Sequence, residues 1–558
     1  MADITLSNDN GIPGTVHLVD LEGMVDAQHA SGTIKDVVLI PTPSNDPNDP
    51  LNWTPRRKSV STACTLLYVL AVAFPSSAIY SVFMPIIAKT GIPFGTLNEG
   101  TGYMFLFLGW GCAFWQPVAL HYGKRPVYLF SVLATLGITM WGPYIETNGQ
   151  WIASKILQGF VGAPIESLPE ISMADISFTY KRGAYMTLYA FVLSGSNYIA
   201  PTLAGFISNG QDWEWVLVSF CFHRRICVTE QFQYWCAIFC GLSFVILFLF
   251  MEETNYDRPP TSPNPAVVPG EEDAPLESNE KVAHQLSIAT QMNSRVVTGS
   301  TKTFLQKMSL RDRPRPFKWF LFSLKQPFQF FTFPVVLYGG FASGSALIWF
   351  NFLNATASLI YSSPPYNFKP SMVGLTYISP FLGAALCMLL TGTIGDKLNI
   401  YLARRSQGIS EPEYRLWPLL ITTVFGPMGL VIWGVGAANS IHWFGLVVAE
   451  FMLGVSITIT ITIACNYAID TYQQLGGESL VAVVIVRNTM SFAIGYGITP
   501  WIEHTGIQST FIAAAFIGLA ETLVFLVFVK FGKRFRRNSK KRYAKMVSDS
   551  ALMGQGEH

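Results

Sequence analysis

The sequence predicts an all-α membrane protein of twelve transmembrane helices in two pseudo-symmetric six-helix bundles. Three observations predict it. Half of the 558 residues are hydrophobic, only 13% are charged, and mean hydropathy is +0.35; a soluble domain carries about 25% charged residues. Twelve apolar runs approach or exceed the roughly 20 residues that a helix needs to cross a bilayer. A polar stretch rich in Pro, Glu, Ser and Lys then divides those runs six and six. A net charge of +2 argues against a nucleic-acid partner, and 14% aromatic residues exclude disorder throughout.

Taken in order, residues 1–55 are acidic, polar and Pro-rich and contain no apolar core. They read as a disordered cytoplasmic tail and not as a signal peptide. An N-terminal bundle follows over 56–253, with spans at 59–81, 100–120, 126–145, 151–172, 184–207 and 234–251. A cytoplasmic linker covers 254–325. The C-terminal bundle, 326–532, holds spans at 328–350, 371–394, 416–437, 442–468, 479–500 and 508–530, and a basic tail covers 533–558. Lys and Arg concentrate on one side: Arg56 to Lys58, Lys124 and Arg125, Lys181 and Arg182, Arg404, Arg405 and Arg415, and the tail. Both termini are therefore expected in the cytoplasm. The basic tail reads as a solvated end that fixes topology.

One segment breaks this pattern. Val218–Gln233 places His223, Arg224 and Arg225 on the outer side and cuts Trp213–Leu217 from Tyr234-Trp235-Cys236. Val-Ser can be encoded by GTA-AGT and Gln by CAG, so the segment reads as an unspliced intron, with a genuine extracellular insertion as the rival reading; the sequence of the transcript decides between them. Of the eight cysteines, six lie in apolar runs and two, Cys221 and Cys227, in this segment. They read as small hydrophobes, not as a disulfide or metal framework.

The two halves show an internal repeat. Lys155, Gly159 and Asp175 in span four have the spacing of Glu450, Gly454 and Asp470 in span ten. Gly123-Lys124-Arg125 corresponds likewise to Gly395-Asp396-Lys397. Related halves are a plan of secondary transporters, with the substrate site between them.

The sequence has no phosphate-cradling loop, which leaves an ion gradient as the energy source. No catalytic constellation, metal set or cofactor motif is present. Titratable groups inside a membrane are costly and mark coupling sites. The census is Lys155, Glu166, Glu170, Glu450, Arg487 and Glu521. The spacing of Lys155, Glu166 and Glu170 places them along one helix face, and two carboxylates one turn apart cannot both ionise cheaply. Pro164 and Pro169 interrupt that helix. Glu450 and Arg487 are candidates for the coupling site; the alternative for Glu450 is an inter-half ion pair, with Arg487 as its partner. Asn197 and Asn466 are polar candidates for the substrate site. Asp175 and Asp470, with Asp396, Lys124 and Arg125, are expected to lock and release the inward-closed state.

Several runs carry a family resemblance. They are Asp46-Pro47-Asn48-Asp49-Pro50-Leu51-Asn52-Trp53 before span one, Gly392–Lys397 with Glu411–Leu416 around the loop between spans eight and nine, and Met251-Glu252-Glu253-Thr254 after span six. Gly195, Pro201 and Gly205 in span five resemble an antiporter motif. Together they resemble the major facilitator superfamily, in particular its fungal twelve-span drug:proton antiporter branch. Glu166-Ser167-Leu168-Pro169-Glu170 with Asp175 is most similar to the histidinol/polyamine-type permeases. Leu120 departs from the pattern where an acid is usual, and so does Lys155 where an arginine is usual. The resemblance implies a proton-coupled transporter of a small organic compound, acting as a monomer in the plasma membrane. Efflux of a drug or secondary metabolite is the first expectation, uptake of polyamines or other organic cations the second, and a non-transporting receptor the third.

Overall fold

Nearly every described segment is helical. The structure, a computed structural model, describes residues 12–17, 46–210, 228–256, 309, 317–406 and 409–555. The first half comprises α1 (Pro55–Ser77), α2 (Phe83–Thr90), α3 (Phe94–Tyr122), α4 (Lys124–Trp141), α5 (Asn148–Gly162), α6 (Leu168–Ile176), α7 (Thr179–Gly210) and α8 (Val228–Phe250). The second comprises α9 (Phe317–Gln329), α10 (Pro334–Ser362), α11 (Pro370–Thr376), α12 (Ile378–Cys387), α13 (Gly395–Arg405), α14 (Leu419–Ala438), α15 (Trp443–Thr471), α16 (Gly476–Leu523) and α17 (Phe525–Gln555). A π-helical stretch, Met388–Ile394, joins α12 to α13.

Among the described residues, nine segments are long and apolar enough to cross a membrane. The last of them turns back at Gly506, where φ is +74° and ψ 159°, and so crosses twice. Only glycine takes that conformation cheaply. The predicted span four is two helices, α5 and α6, joined by a 3-10 turn over Ala163–Glu166. Pro164 and Pro169 each sit in the first turn of a new helical segment, where their missing N–H costs nothing. The predicted span six is the apolar part of α8, Tyr234–Phe250. The twelve predicted crossings are thus accounted for.

The sequence repeat is also a packing repeat. A Cβ on Gly159 would clash with the Met104 carbonyl oxygen, and one on Gly454 would meet Pro380 Cα at 2.6 Å. Each glycine therefore lets the fourth helix of its half lie directly on the second.

The basic ends of the helices are joined by side chains. Glu252 accepts from Arg57 Nε at 2.8 Å, and Glu253 accepts from the Arg125 N–H at 3.0 Å at the start of α4. An anion at a helix N-terminus is favourably placed against the helix dipole. Gly123 has φ +113°, and a Cβ there would lie 2.7 Å from Glu253 Oε2. The motif after span six is thus a cap for α4.

Three expectations are corrected here. The N-terminal tail is not wholly disordered: Val16–His17 (β1) pairs antiparallel with Ile409–Ser410 (β2), and Pro50–Asn52 forms a 3-10 turn. The predicted linker ends early, because α9 begins at Phe317. The basic tail is not simply a solvated end, since it continues as α17 and Arg536 is fully buried. Arg536 donates to Glu413 Oε1 at 2.9 Å, to Glu413 Oε2 at 2.8 Å, to the Pro13 carbonyl at 2.7 Å and to Thr15 Oγ1 at 2.9 Å, and it also pairs with Glu411. One guanidinium thereby ties the N-terminal segment, the turn before α14 and α17 together. Of Val218–Gln233, residues 218–227 lie outside the described residues and Val228–Gln233 begin α8. All six described cysteines are buried and free.

Replacing Arg536 with Gln should cost about 3–5 kcal/mol, because buried Glu413 loses its cation and Glu411 keeps only the exposed Lys533 at 3.1 Å. The check is the unfolding midpoint of the purified protein; a midpoint equal to that of the parent chain contradicts this arrangement.

Candidate functional site

The two halves meet along three levels. Far from the basic end, α7 lies on α11: Thr202 Oγ1 donates to the Gly374 carbonyl at 2.7 Å, and a Cβ on Gly205 would clash with the Pro370 carbonyl oxygen. Pro201 lies in this contact, with its own carbonyl accepting from Ser81 Oγ at 2.7 Å. Gly195 faces the Phe381 ring, which a Cβ would approach at 3.1 Å. Gly195, Pro201 and Gly205 therefore form an inter-half seam.

At the basic end, Asp470 accepts from Arg415 at 2.8 Å and lies 3.9 Å from Arg182 of the first half. A Cβ on Gly477 would touch Gln116 and Ile171, so the halves are closed there too. Within the first half, Lys124 pairs with Asp175. Asp175 and Asp470 hold equivalent repeat positions. Each binds a cation at the start of the third span of its own half, and Asp470 also faces Arg182 of the other half. Arg125 donates to the Phe248 carbonyl at 2.7 Å, within its own half. Asp396 lies in α13, and its side chain is outside the described residues.

Between these two closures, Glu166 forms an ion pair with Arg487 of α16. Both are buried. The 3-10 turn aims Glu166 across the interface because the helix is broken there. Glu170, one turn on, is buried, and its Oε2 has no hydrogen-bond partner among the described residues. A Cβ on Gly344 would lie 3.2 Å from Arg487 Cα, so α10 and α16 approach closely where the arginine is seated.

Two sequence expectations are corrected by this geometry. Glu450 does not pair with Arg487. It accepts from Thr376 Oγ1 at 3.2 Å, within the second half, and is 1% exposed. Nor does Lys155 join Glu166 and Glu170 on one face, because the break at Ala163–Glu166 changes the helix phase. Lys155 Nζ donates instead to Gln158 Oε1 at 2.9 Å and lies 4.9 Å over the Trp151 ring; Gln158 in turn donates to Ser76 Oγ at 3.3 Å. Asn197 accepts from Ser77 of α1, and Asn466 is buried on α15. Glu521 accepts from Ser345 in a cleft lined also by Trp349, Thr422 and Thr460, inside the second half.

Sequence reasoning missed Gln158, Thr376 and the inter-half role of Arg182. Gln158 carried a signal, since it stands three residues from Lys155 on a helix. Thr376 carried none, because contact between α11 and α15 is purely tertiary.

The family profile described as Major Facilitator Superfamily matches residues 66–476. The chain belongs to that superfamily and is a membrane-spanning transporter, not an enzyme. It is similar to an uncharacterized MFS-type transporter of Schizosaccharomyces pombe, 25% identical over 95% of this chain and 94% of the relative. It is likewise similar to Protein HOL1 of Saccharomyces cerevisiae, 26% identical over 96% of this chain and 97% of the relative. Among solved structures, the proton:xylose symporter XylE superposes with a TM-score of 0.56 at 12% identity, covering 86% of this chain and 97% of that one. That likeness is one of fold.

Replacing Glu166 with Gln strands a buried guanidinium and should cost about 3–5 kcal/mol. Replacing Arg487 with Met as well should recover most of that loss. The double-mutant cycle, read from unfolding midpoints, checks it; additive losses would place the two side chains apart.

Proposed function

We propose that the chain is a proton-coupled transporter of a small organic compound, with the basic face in the cytoplasm. The observation that carries this reading is the buried Glu166–Arg487 pair, which spans the two halves between two closed ends. A proton on Glu166 removes the charge that holds Arg487. The halves then lose their central tie and one end can part, which is what alternating access requires. Glu170 stands one turn away as a second acid for the proton or for a cationic substrate. Opening toward the basic face needs Arg182 to leave Asp470. Opening toward the other face needs the Thr202–Gly374 seam to separate.

The direction proposed is export, with protons entering as the compound leaves, through a monomer in the plasma membrane. Uptake of polyamines or other organic cations is the second reading. The buried acids Glu170 and Glu450 favour it, since a cation can replace the proton at either one.

Flux of labelled spermidine in yeast cells lacking their own polyamine uptake tests both readings, with and without a protonophore. The variants Glu166→Gln and Glu170→Gln should reduce pH-dependent flux by tenfold or more, as expected of about 1.4 kcal/mol or more of lost coupling. Flux is compared per molecule of protein at the cell surface. Protonophore-sensitive accumulation in the parent chain selects amine uptake. Background accumulation by surface-expressed protein rejects uptake and moves the assay to export of organic compounds. Unaltered pH dependence in both variants contradicts the coupling role of these acids.

A further inference from the structure

Helix α17 contains nine Lys and Arg residues and one acid, Asp549. Its two sides are sharply different. Arg536, Ser539, Tyr543 and Met546, spaced +3, +4 and +3, are buried against the second half. Ser539 lies 3.2 Å from Tyr472 Oη, and Tyr543 accepts from the Gln474 N–H at 3.1 Å. Lys530, Arg534, Arg537, Lys541 and Lys545, spaced +4, +3, +4 and +4, are all exposed. At 3.6 residues per turn these five share one stripe, opposite the buried face, about 22 Å long.

The same stripe continues into the membrane. Val524, between α16 and α17, keeps helical dihedrals, so the helix phase runs through. Val527, Leu523 and Phe516 fall on the stripe and are 45%, 42% and 70% exposed. The face that meets lipid tails therefore becomes cationic one turn after Val527. Like charges at i,i+4 destabilise a helix, and no acidic side chain pairs with Arg534, Arg537, Lys541 or Lys545 among the described residues. The described part of the fold supplies this stripe with no counter-charge.

We propose that this stripe docks on anionic lipid headgroups of the adjoining leaflet. A surface of anionic lipid attracts each nearby Lys or Arg enough to change affinity roughly fivefold. Zwitterionic lipid offers no such gain. The packed face holds the helix backbone in place, so binding orders side chains but not the chain that carries them. The proposal needs only an anionic headgroup beside the helix exit. Its test is independent of the orientation and the transport direction proposed above.

The experiment titrates fluorescent phosphatidylserine against the purified full-length protein in neutral detergent and reads anisotropy. Phosphatidylcholine and inorganic phosphate are the parallel arms. The variant replaces Arg534, Arg537, Lys541 and Lys545 with Gln, all exposed positions, and its unfolding midpoint is measured alongside. The parent chain should bind phosphatidylserine and discriminate against phosphatidylcholine. The variant should lose affinity by about fivefold or more, while its midpoint in lipid-free detergent does not fall. Equal binding by the variant overturns the proposal. So does competition by millimolar phosphate strong enough to abolish binding, which would make the stripe a site for free anions.

Discussion

A charge in the middle of a membrane protein must be paired, neutralised or hydrated, and the Glu166–Arg487 contact obeys that constraint across a boundary between two bodies. Each residue alone would be costly in its own half. Together they make the closed arrangement favourable, and they make it conditional on the protonation of one carboxylate. The seams above and below combine close backbone approach, such as Gly205 on Pro370 and Gly477 on Gln116, with one polar tie each, Thr202 to the Gly374 carbonyl and Arg182 to Asp470. Neither seam places a buried carboxylate directly on a buried guanidinium of the other half within hydrogen-bond distance, as the central pair does. The central pair is therefore the element whose state most strongly biases the halves.

The pseudo-symmetry explains the frame, and its departures explain the site. Gly159 and Gly454 perform the same packing task in each half. Asp175 and Asp470 bind cations at equivalent helix ends. Yet Glu166 and Glu170 have Ile461 and Cys465 at the matching positions of the second half, so the acidic turn belongs to one half alone. Lys155 and Glu450 also match in position and differ in charge. Each is satisfied within its own half, by Gln158 and by Thr376. They stabilise the two sides without bridging them.

Much of the frame was legible in the sequence because a bilayer leaves few choices. Every backbone group must be satisfied within helices, so apolar runs of sufficient length become crossings. Pro164 and Pro169 gave the break in span four for the same reason. Partners of the charged groups were less legible. Glu450 and Arg487 were obvious candidates for each other by charge, but pairing depends on which helices adjoin and on helix phase. The break that the prolines announced also rotated Lys155 away from Glu166, a consequence that linear spacing does not show. Arg536 was hidden among many tail cations, and only its contact with Glu411, Glu413 and the N-terminal segment distinguishes it.

The central claim is that protonation of Glu166 frees the two halves. Spin labels at Lys181→Cys and Gln474→Cys, both exposed at the basic end beside Arg182 and Asp470, report the separation directly. Their distance distribution should be measured against pH in the parent chain and in Glu166→Gln. The parent should shift between a short and a long distance as pH falls. Glu166→Gln, which cannot take up that charge, should show the low-pH distribution at every pH. A variant that retains the parent's full pH response would contradict the account and place the switch on another group.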